Sequence, residues 1–294
     1  MKRCEIKRLD EALPRWRSHL PRTVWPVVVS TAGRASPELA ADFLDKFHRA
    51  GRQWGFLPAS PFAGRVLMAM IRRLEGRELR LYGRRNFEEA FQALRAGRIR
   101  HLSLVCNHVS YSDANLVRTA LDGLLRRYGL DGDFTVVVGP KVFSHPARTF
   151  AALNFNTVMV AQSLARATPE AAFPLAEIVK AARQAMSDID RRVRLLHVFP
   201  EGGRSRSGAL MQFLPGAWRL LDVPRAWGVV PVAVVGSEHF LGVGQSRLRR
   251  ASISIRGGPM LLSQDLRPLG RAAMDRIGKA VADLLPPSRR GYYA

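Results

Sequence analysis

Apolar positions along the chain follow two periods. From about residue 77 onward, short runs rich in β-branched residues and leucine recur between stretches with a helical apolar stripe. The runs Glu78–Tyr82, His101–Cys106, Phe134–Val138, Thr157–Val160, Leu195–Phe199, Val229–Val235 and Ala251–Arg256 predict strands. Asn86–Ala96, with Phe87, Ala90, Phe91 and Leu94 on one face, predicts an amphipathic helix. Asp113–Tyr128, Pro174–Asp190 and Arg271–Leu285 predict three more. Strands alternating with helices point to an α/β fold, a mainly parallel central sheet flanked by helices. Ligands of such sheets sit beyond the carboxyl ends of the strands. The loops after 101–106 and 195–199 are therefore the expected location of any chemistry.

The first quarter of the chain reads differently. Residues 1–36 are basic and interrupted by Pro14, Pro21 and Pro26, which predicts an irregular arm. Ser36-Pro37-Glu38 is a helix start: a capping serine, proline at the first helical position and an acid in the first turn. That helix is expected to run to about Trp54, with Leu39, Phe43, Phe47 and Ala50 on one face, and a second from about Phe62 to Leu74. The chain divides on this reading into a basic arm and small helical region (1–76) and an α/β domain (77–294).

Composition adds a strong charge. The 294 residues carry 46 Lys+Arg against 24 Asp+Glu, a formal net charge of +22 spread along the whole chain. Such a surface suits polyanions: nucleic acid, anionic lipid headgroups or an acidic carrier protein. A general preference for arginine explains it equally well. With 47% hydrophobic residues, the chain has the material for a buried core. The two cysteines, Cys4 and Cys106, form no CxxC pair and no metal-ligand spacing, so neither a disulfide framework nor a metal is expected. The N-terminus lacks an apolar segment of the secretory kind, and no apolar run approaches the ~20 residues needed to span a bilayer. A soluble, cytoplasmic protein is expected, with peripheral contact at the inner membrane surface.

The first loop reads Cys106-Asn107-His108-Val109-Ser110-Tyr111-Ser112-Asp113. A histidine directly follows the strand, and an acid stands five positions on at the start of the next helix. Across a tight turn that carboxylate reaches one imidazole nitrogen and leaves the other facing the site, the arrangement of a general base. The competing reading makes Asp113 a helix cap and His108 a core residue. No GxSxG elbow accompanies the pair, so direct activation of an acceptor hydroxyl is expected rather than a serine nucleophile. The second loop, Phe199-Pro200-Glu201-Gly202-Gly203-Arg204-Ser205-Arg206-Ser207-Gly208, joins adjacent glycines to two guanidinium groups. Glycines admit close approach of backbone to ligand, and guanidinium suits phosphate oxygens. It is not a Walker loop, because no GK[ST] follows. In so arginine-rich a chain, a merely solvated loop fits as well.

Taken together, the two loops resemble the glycerolipid acyltransferase family, whose signatures are NHxxxxD and FPEGTRS. Here they stand as Asn107-His108 … Asp113 and Phe199-Pro200-Glu201-Gly202-Gly203-Arg204-Ser205. A third block of that family, an apolar strand with a central proline, stands as Val229-Val230-Pro231-Val232-Ala233. Within the family the chain is most similar to the soluble glycerol-3-phosphate acyltransferases of the chloroplast type. Gly203 replaces the usual threonine, Arg204 and Arg206 stand two apart, and Val138-Gly139 … Val142 … Pro146 … Phe150 … Asn156 … Val160 … Ser163 follows that subgroup's spacing. Asn86-Phe87-Glu88-Glu89 … Leu94 … Gly97 also fits, so the resemblance covers roughly residues 82 to 240. The chain departs from the subgroup where a Lys-His pair is usual: it has Leu164 and Ala165, with Arg166 the nearest basic residue.

The resemblance implies roles. His108 is the general base on the acceptor hydroxyl and Asp113 its orienting partner. Arg204 and Arg206 bind the acceptor phosphate, completed by Lys141 or Arg148 in place of the missing pair. Glu201, Gly202, Gly203 and Ser205 shape the phosphate loop, and Asn107 and Ser110 order the turn. Glycerol 3-phosphate is the implied acceptor, and lysophosphatidate or another acceptor of the same family the alternative. The donor is acyl carrier protein or coenzyme A thioester as co-substrate; no cofactor is bound, no acyl-enzyme forms, and the protein acts as a monomer. Phe143, Phe150, Phe155 and Phe213 are candidates for an acyl tunnel, though phenylalanines near strands are more often plain core. A rival of another class is a non-catalytic basic protein binding nucleic acid or membrane. The absence of aromatics interleaved with basic residues speaks against specific nucleic-acid binding.

Overall fold

A computed structural model describes residues 36–52, 54–75, 78–161, 173–223, 225–245 and 248–294. The arm 1–35, the segment with Ser163, Leu164, Ala165 and Arg166, and the junction at residues 76 and 77 lie outside the described residues. In chain order the elements are α1 (Pro37–Arg49), β1 (Gly55–Leu57), α2 (Pro61–Glu75), β2 (Leu79–Tyr82), α3 (Arg84–Arg95) and β3 (His101–Cys106). They continue with α4 (Asp113–Arg127), β4 (Phe134–Val138), α5 (Pro146–Ala152), β5 (Asn156–Met159), α6 (Leu175–Arg192) and β6 (Leu195–Val198). The last are α7 (Trp218–Leu221), β7 (Trp227–Val235), α8 (Ser237–Leu241), β8 (Ile253–Gly257), β9 (Leu261–Leu262), α9 (Ser263–Leu266) and α10 (Ala273–Ala282).

The strands form one sheet in the order β1-β5-β4-β6-β3-β7-β8-β2, with β9 added to β7. Strands β5, β4, β6, β3 and β7 are mutually parallel, and β8 runs antiparallel to β7. This is the expected α/β architecture. Helices cover both faces, which explains the near-continuous apolar character of β3 and β7. In β3, Leu102, Leu104 and Cys106 enter one apolar core with Phe87, Phe91 and Leu116, while Val105 enters the other with Ile189, Val198 and Ile277. In β7, Val230, Val232 and Val234 face the first core, and Trp227, Val229 and Ala233 the second.

Pro231 sits in the middle of β7, where a missing N–H would normally break a ladder. On its outer side β7 pairs with β9 at Gly228 and Val229, then with β8 from Val232. The proline falls in the gap between these two partners, and its carbonyl accepts from Gly258 N at 2.9 Å.

The N-terminal region departs from expectation. Helix α1 starts as predicted, with Ser36 Oγ accepting from Leu39 N at 3.4 Å, but ends at Arg49 rather than near Trp54. Gly51 takes a left-handed φ of 77°, which ends the helical path. The chain then forms β1, antiparallel to β5, and Phe56 N donates to Asp188 Oδ2 of α6 at 3.0 Å. Val66 and Ile71 of α2 lie in the same core as β3 and α4. Residues 36–75 are thus packed into the sheet and its first core.

Candidate active site

The parallel strands end together, and the loops after β3, β4, β6 and β7 meet at that end. The turn after β3 is built around one carboxyl group. Asp113 is fully buried, and its Oδ2 accepts from Val109 N, Ser110 N and His108 Nδ1, each at 2.8 Å. Its Oδ1 accepts from Ser237 Oγ at 2.5 Å. Because Oδ2 already serves two amide donors, Nδ1 of His108 carries the proton in this pair and Nε2 is the basic nitrogen. The helix-cap reading of Asp113 is corrected here: its bonds run back to the turn, and the capping position of α4 belongs to Ser112.

His108 lines a cavity of about 970 Å³, and its side chain is 20% exposed. Burial pushes the imidazole below its ordinary pKa, the bond to Asp113 pulls it back up, and the charge of Arg204 pushes it down again. The ring is therefore neutral, and able to accept a proton, at physiological pH. It stacks on Phe199 at 4.1 Å between centroids with 21° between planes. Behind Phe199, His197 is fully buried and meets Phe199 edge-on at 4.5 Å; burial holds its pKa at about 3.

The second loop is tied to the first from below. Glu201 is fully buried; its Oε1 accepts from His108 N at 2.6 Å and its Oε2 from Met211 N at 2.8 Å. Ser205 N donates to His108 O at 2.8 Å. Gly202 has a φ of 68°, a conformation that disfavours a side chain. A Cβ at Gly203 would meet nothing within 4 Å, so the residue that replaces the family's threonine leaves open space at the cavity wall. Asn107 is a brace between strands, donating through Nδ2 to Val234 O at 3.0 Å and accepting at Oδ1 from Val234 N at 2.8 Å. Ser110 Oγ donates to Leu241 O at 2.7 Å.

The sequence candidates therefore separate by position. His108, Lys141, Arg148, Gly202, Gly203 and Arg204 line the cavity. Asn107, Ser110, Asp113, Glu201 and Ser205 are buried and hold the two loops together. Arg206 is exposed and outside the cavity wall. Of the four phenylalanines, Phe150 and Phe155 line the cavity, whereas Phe143 and Phe213 do not. Phe213 belongs to the core beneath, against Tyr293.

Three contributors escaped the sequence reading. Ser237 holds Asp113 from the end of β7. Tyr111 lies under Arg204, whose guanidinium carbon stands 3.7 Å from the ring centroid. The C-terminal residues grip the second loop: Leu210 N donates to Arg289 O at 2.9 Å, and Arg289 Nη2 bonds Glu238 Oε1 at 2.8 Å. For Ser237 a signal existed, since it follows an apolar strand whose carboxyl end belongs to the site. Nothing in sequence pairs residue 289 with residue 210. Among the described residues, no group of His, Cys, Asp and Glu is placed to hold a metal, and no helix is long and apolar enough to cross a membrane.

Comparison with curated proteins gives no match. Among solved structures, the 1-acyl-sn-glycerophosphate (LPA) acyltransferase PlsC from Thermotoga maritima aligns with a TM-score of 0.47 and 15% identity, over 97% of this chain and 98% of that one. Residues 79–235, from β2 to the end of β7 and so including both candidate loops, match the family described as Acyltransferase. A buried acid orienting a neutral histidine over an apolar cavity, on a segment matching that family over more than half the chain, leads to one conclusion: this chain belongs to the acyltransferase family.

Proposed function

We propose that the protein transfers a fatty acyl group from an acyl carrier protein or coenzyme A thioester to the hydroxyl of glycerol 3-phosphate. The observation that carries this reading is the meeting of three features at one cavity. His108 supplies a neutral base, Arg204, Lys141 and Arg148 supply positive charge, and Ile71, Phe150 and Phe155 belong to an apolar wall. In the proposed step the acceptor's phosphate docks on Arg204. The hydroxyl proton passes to His108 Nε2 as the oxygen attacks the thioester carbonyl carbon. The carbon–sulfur bond then breaks, and the thiolate recovers the proton from the imidazolium. Asp113 stabilises that imidazolium without moving. Cys106 takes no part as a nucleophile, being fully buried with its thiol pKa pushed well up by burial.

The acceptor's phosphate site rests on Arg204, with Lys141 and Arg148 as supports; Arg206 is assigned no direct contact. The net charge of +22 suits an acidic carrier, the phosphates of coenzyme A or an anionic membrane surface met peripherally.

Lysophosphatidate is the second reading. The cavity's apolar wall comes from helices on both sides of the sheet, Leu67 and Ile71 on one and Ile178, Ala182 and Leu220 on the other. Apolar lining from both sides suits an acceptor that brings an acyl chain of its own.

The test offers acyl carrier protein and coenzyme A thioesters with labelled glycerol 3-phosphate or lysophosphatidate, each beside His108→Ala. Lysophosphatidate made from glycerol 3-phosphate, and lost in the variant, is the expected result. Product from lysophosphatidate alone moves the assignment to the second reading. Undiminished activity in His108→Ala refutes the base mechanism.

A further inference from the structure

We propose that Tyr111 is the positioning residue for Arg204, and that its ring sets the distance between the base and the anionic group of the acceptor. The inference rests on the reading of Arg204 as the phosphate-binding residue.

The contact is unusually close. Arg204 Cζ lies 3.7 Å from the Tyr111 ring centroid, whereas the other cation–ring contacts among the described residues are at 5.8 or 5.9 Å. At the shorter distance the planar guanidinium lies on the π face. Stacking uses the face of the guanidinium and leaves its N–H edge free to meet two oxygens of an anion. Among the described residues no carboxylate pairs with Arg204. Its charge is half-buried at the cavity wall, where burial pushes its pKa down and the nearby charge of Arg148 acts in the same direction. Tyr111 and the buried Asp113 pull it back up, but among the described residues no carboxylate touches the guanidinium, so its N–H edge is open to an incoming anion.

The backbone alone does not aim this side chain. Arg204 follows Gly202, in the left-handed region, and Gly203, around whose missing Cβ there is open space. The backbone of Tyr111, by contrast, is fixed. Its N–H donates to Leu241 O at 3.2 Å. The preceding Ser110 Oγ donates to Leu241 O and accepts from Ser112 N at 3.1 Å. Two residues on stands Asp113, which holds His108. Base, orienting acid and aromatic platform thus share the six-residue turn 108–113, and the turn is pinned to α8. The span from Nε2 to the guanidinium edge becomes a property of one rigid turn. An acceptor bound by its anion presents its hydroxyl to the base only if the two groups are the right distance apart. That selects a short phosphorylated alcohol over a longer or neutral one.

The test measures steady-state constants for Tyr111→Leu, Tyr111→Phe, Arg204→Ala and Tyr111→Leu/Arg204→Ala, varying glycerol 3-phosphate or lysophosphatidate at fixed thioester and the reverse. Tyr111→Leu is expected to raise the acceptor KM about 3- to 30-fold, the range of a cation–π contact, and to leave the thioester KM in place. Tyr111→Phe, which keeps the ring, restores the acceptor KM to within about twofold of the parent, and Tyr111→Leu adds less than about twofold once Arg204 is alanine. Calorimetric titration with glycerol 3-phosphate alone, without thioester, should show the same pattern and covers variants too slow to assay. Equal constants for Tyr111→Leu and Tyr111→Phe overturn the inference. So does a Tyr111→Leu effect that persists undiminished in the Arg204→Ala background, or one that raises both KM values together with a lowered unfolding midpoint. An unchanged acceptor KM in Arg204→Ala overturns the phosphate reading itself. A normal Arg204→Ala effect beside a silent Tyr111→Leu overturns only the role of the ring.

Discussion

Replacing Asp113 by asparagine isolates the charge that the buried acid contributes. In the parent, Oδ2 accepts from two backbone amides and from His108 Nδ1, and Oδ1 accepts from Ser237 Oγ. The amide of Asp113→Asn has one oriented solution. Its oxygen takes the Oδ2 place, where three donors converge, and its NH2 faces Ser237 Oγ, which turns to accept. The imidazole keeps its tautomer, and the fold keeps its bonds. What disappears is the attraction between carboxylate and imidazolium at the moment the base is charged. Two unit charges about 4 Å apart at an effective dielectric near 20 interact by about 4 kcal/mol. Taken as an upper bound, this is roughly a 10³-fold loss in kcat/KM. Thiol release from the acyl thioester in the presence of acceptor measures it, with thermal unfolding as the control on folding. The acid limb of the pH profile should also move. In the proposed step the neutral imidazole is the active form, so the rate falls as pH drops through the pKa of His108, already below its ordinary value through burial. Asp113 raises that pKa through its bond and its charge, so Asp113→Asn moves the limb to still lower pH. A loss smaller than about tenfold, or an equal further loss in a His108→Ala background, would refute the reasoning, because groups acting as one unit do not add.

Three further outcomes follow from single positions near the site. His197 is held neutral with a pKa of about 3, while an unfolded histidine titrates near 6.5. Between those values the unfolded chain binds a proton that the folded one refuses, so stability falls with falling pH by up to about 1.4 kcal/mol per unit. His197→Phe, between Phe134 and Phe199, should flatten the slope measured by denaturant unfolding from pH 7 to 4; an unchanged slope contradicts the assignment. Glu201→Gln places an amide donor against one of two backbone donors, His108 N or Met211 N, and should cost about 1–3 kcal/mol of stability with weakened acceptor binding. Stability equal to the parent would remove Glu201 as the tie between the loops. Gly203→Thr meets open space and should unfold at the parental midpoint; a large drop would show that the loop is more tightly packed than its geometry implies.

The strands most legible from sequence were those buried on both faces. His101–Cys106 and Phe134–Val138 have the predicted bounds, because an apolar run flanked by polar turns admits few alternatives. The short outer strands β1 and β9 were not anticipated. Gly55–Leu57 and Leu261–Leu262 are two or three residues long, too short for any period to register, and owe their strand geometry to β5 and β7. Helix α5, seven residues between Pro146 and Ala152, escaped for the same reason of length.

The site divides in the same way. His108 and Asp113 are five residues apart, and their hydrogen bond is local, closed within one turn whose geometry the residue spacing dictates. That Glu201, Gly202 and Arg204 belong with them was legible through the joint motif, although their separate positions in the loop were not. Arg204 faces the cavity while Arg206, two residues on, points to solvent; only the path of the folded loop distinguishes two identical side chains. Ser237, Tyr111 beneath Arg204, and the grip of Arg289 on the second loop depend on where strands separated by tens of residues finish in the sheet. Hydrophobic period and turn chemistry are properties of neighbours along the chain, so the sequence by itself determined the α/β class, the buried central strands and the pairing of His108 with Asp113. Distances between loops are properties of strand order and register. The tertiary structure alone therefore decided which cations face the cavity, which polar groups are braces, and what holds the two loops together.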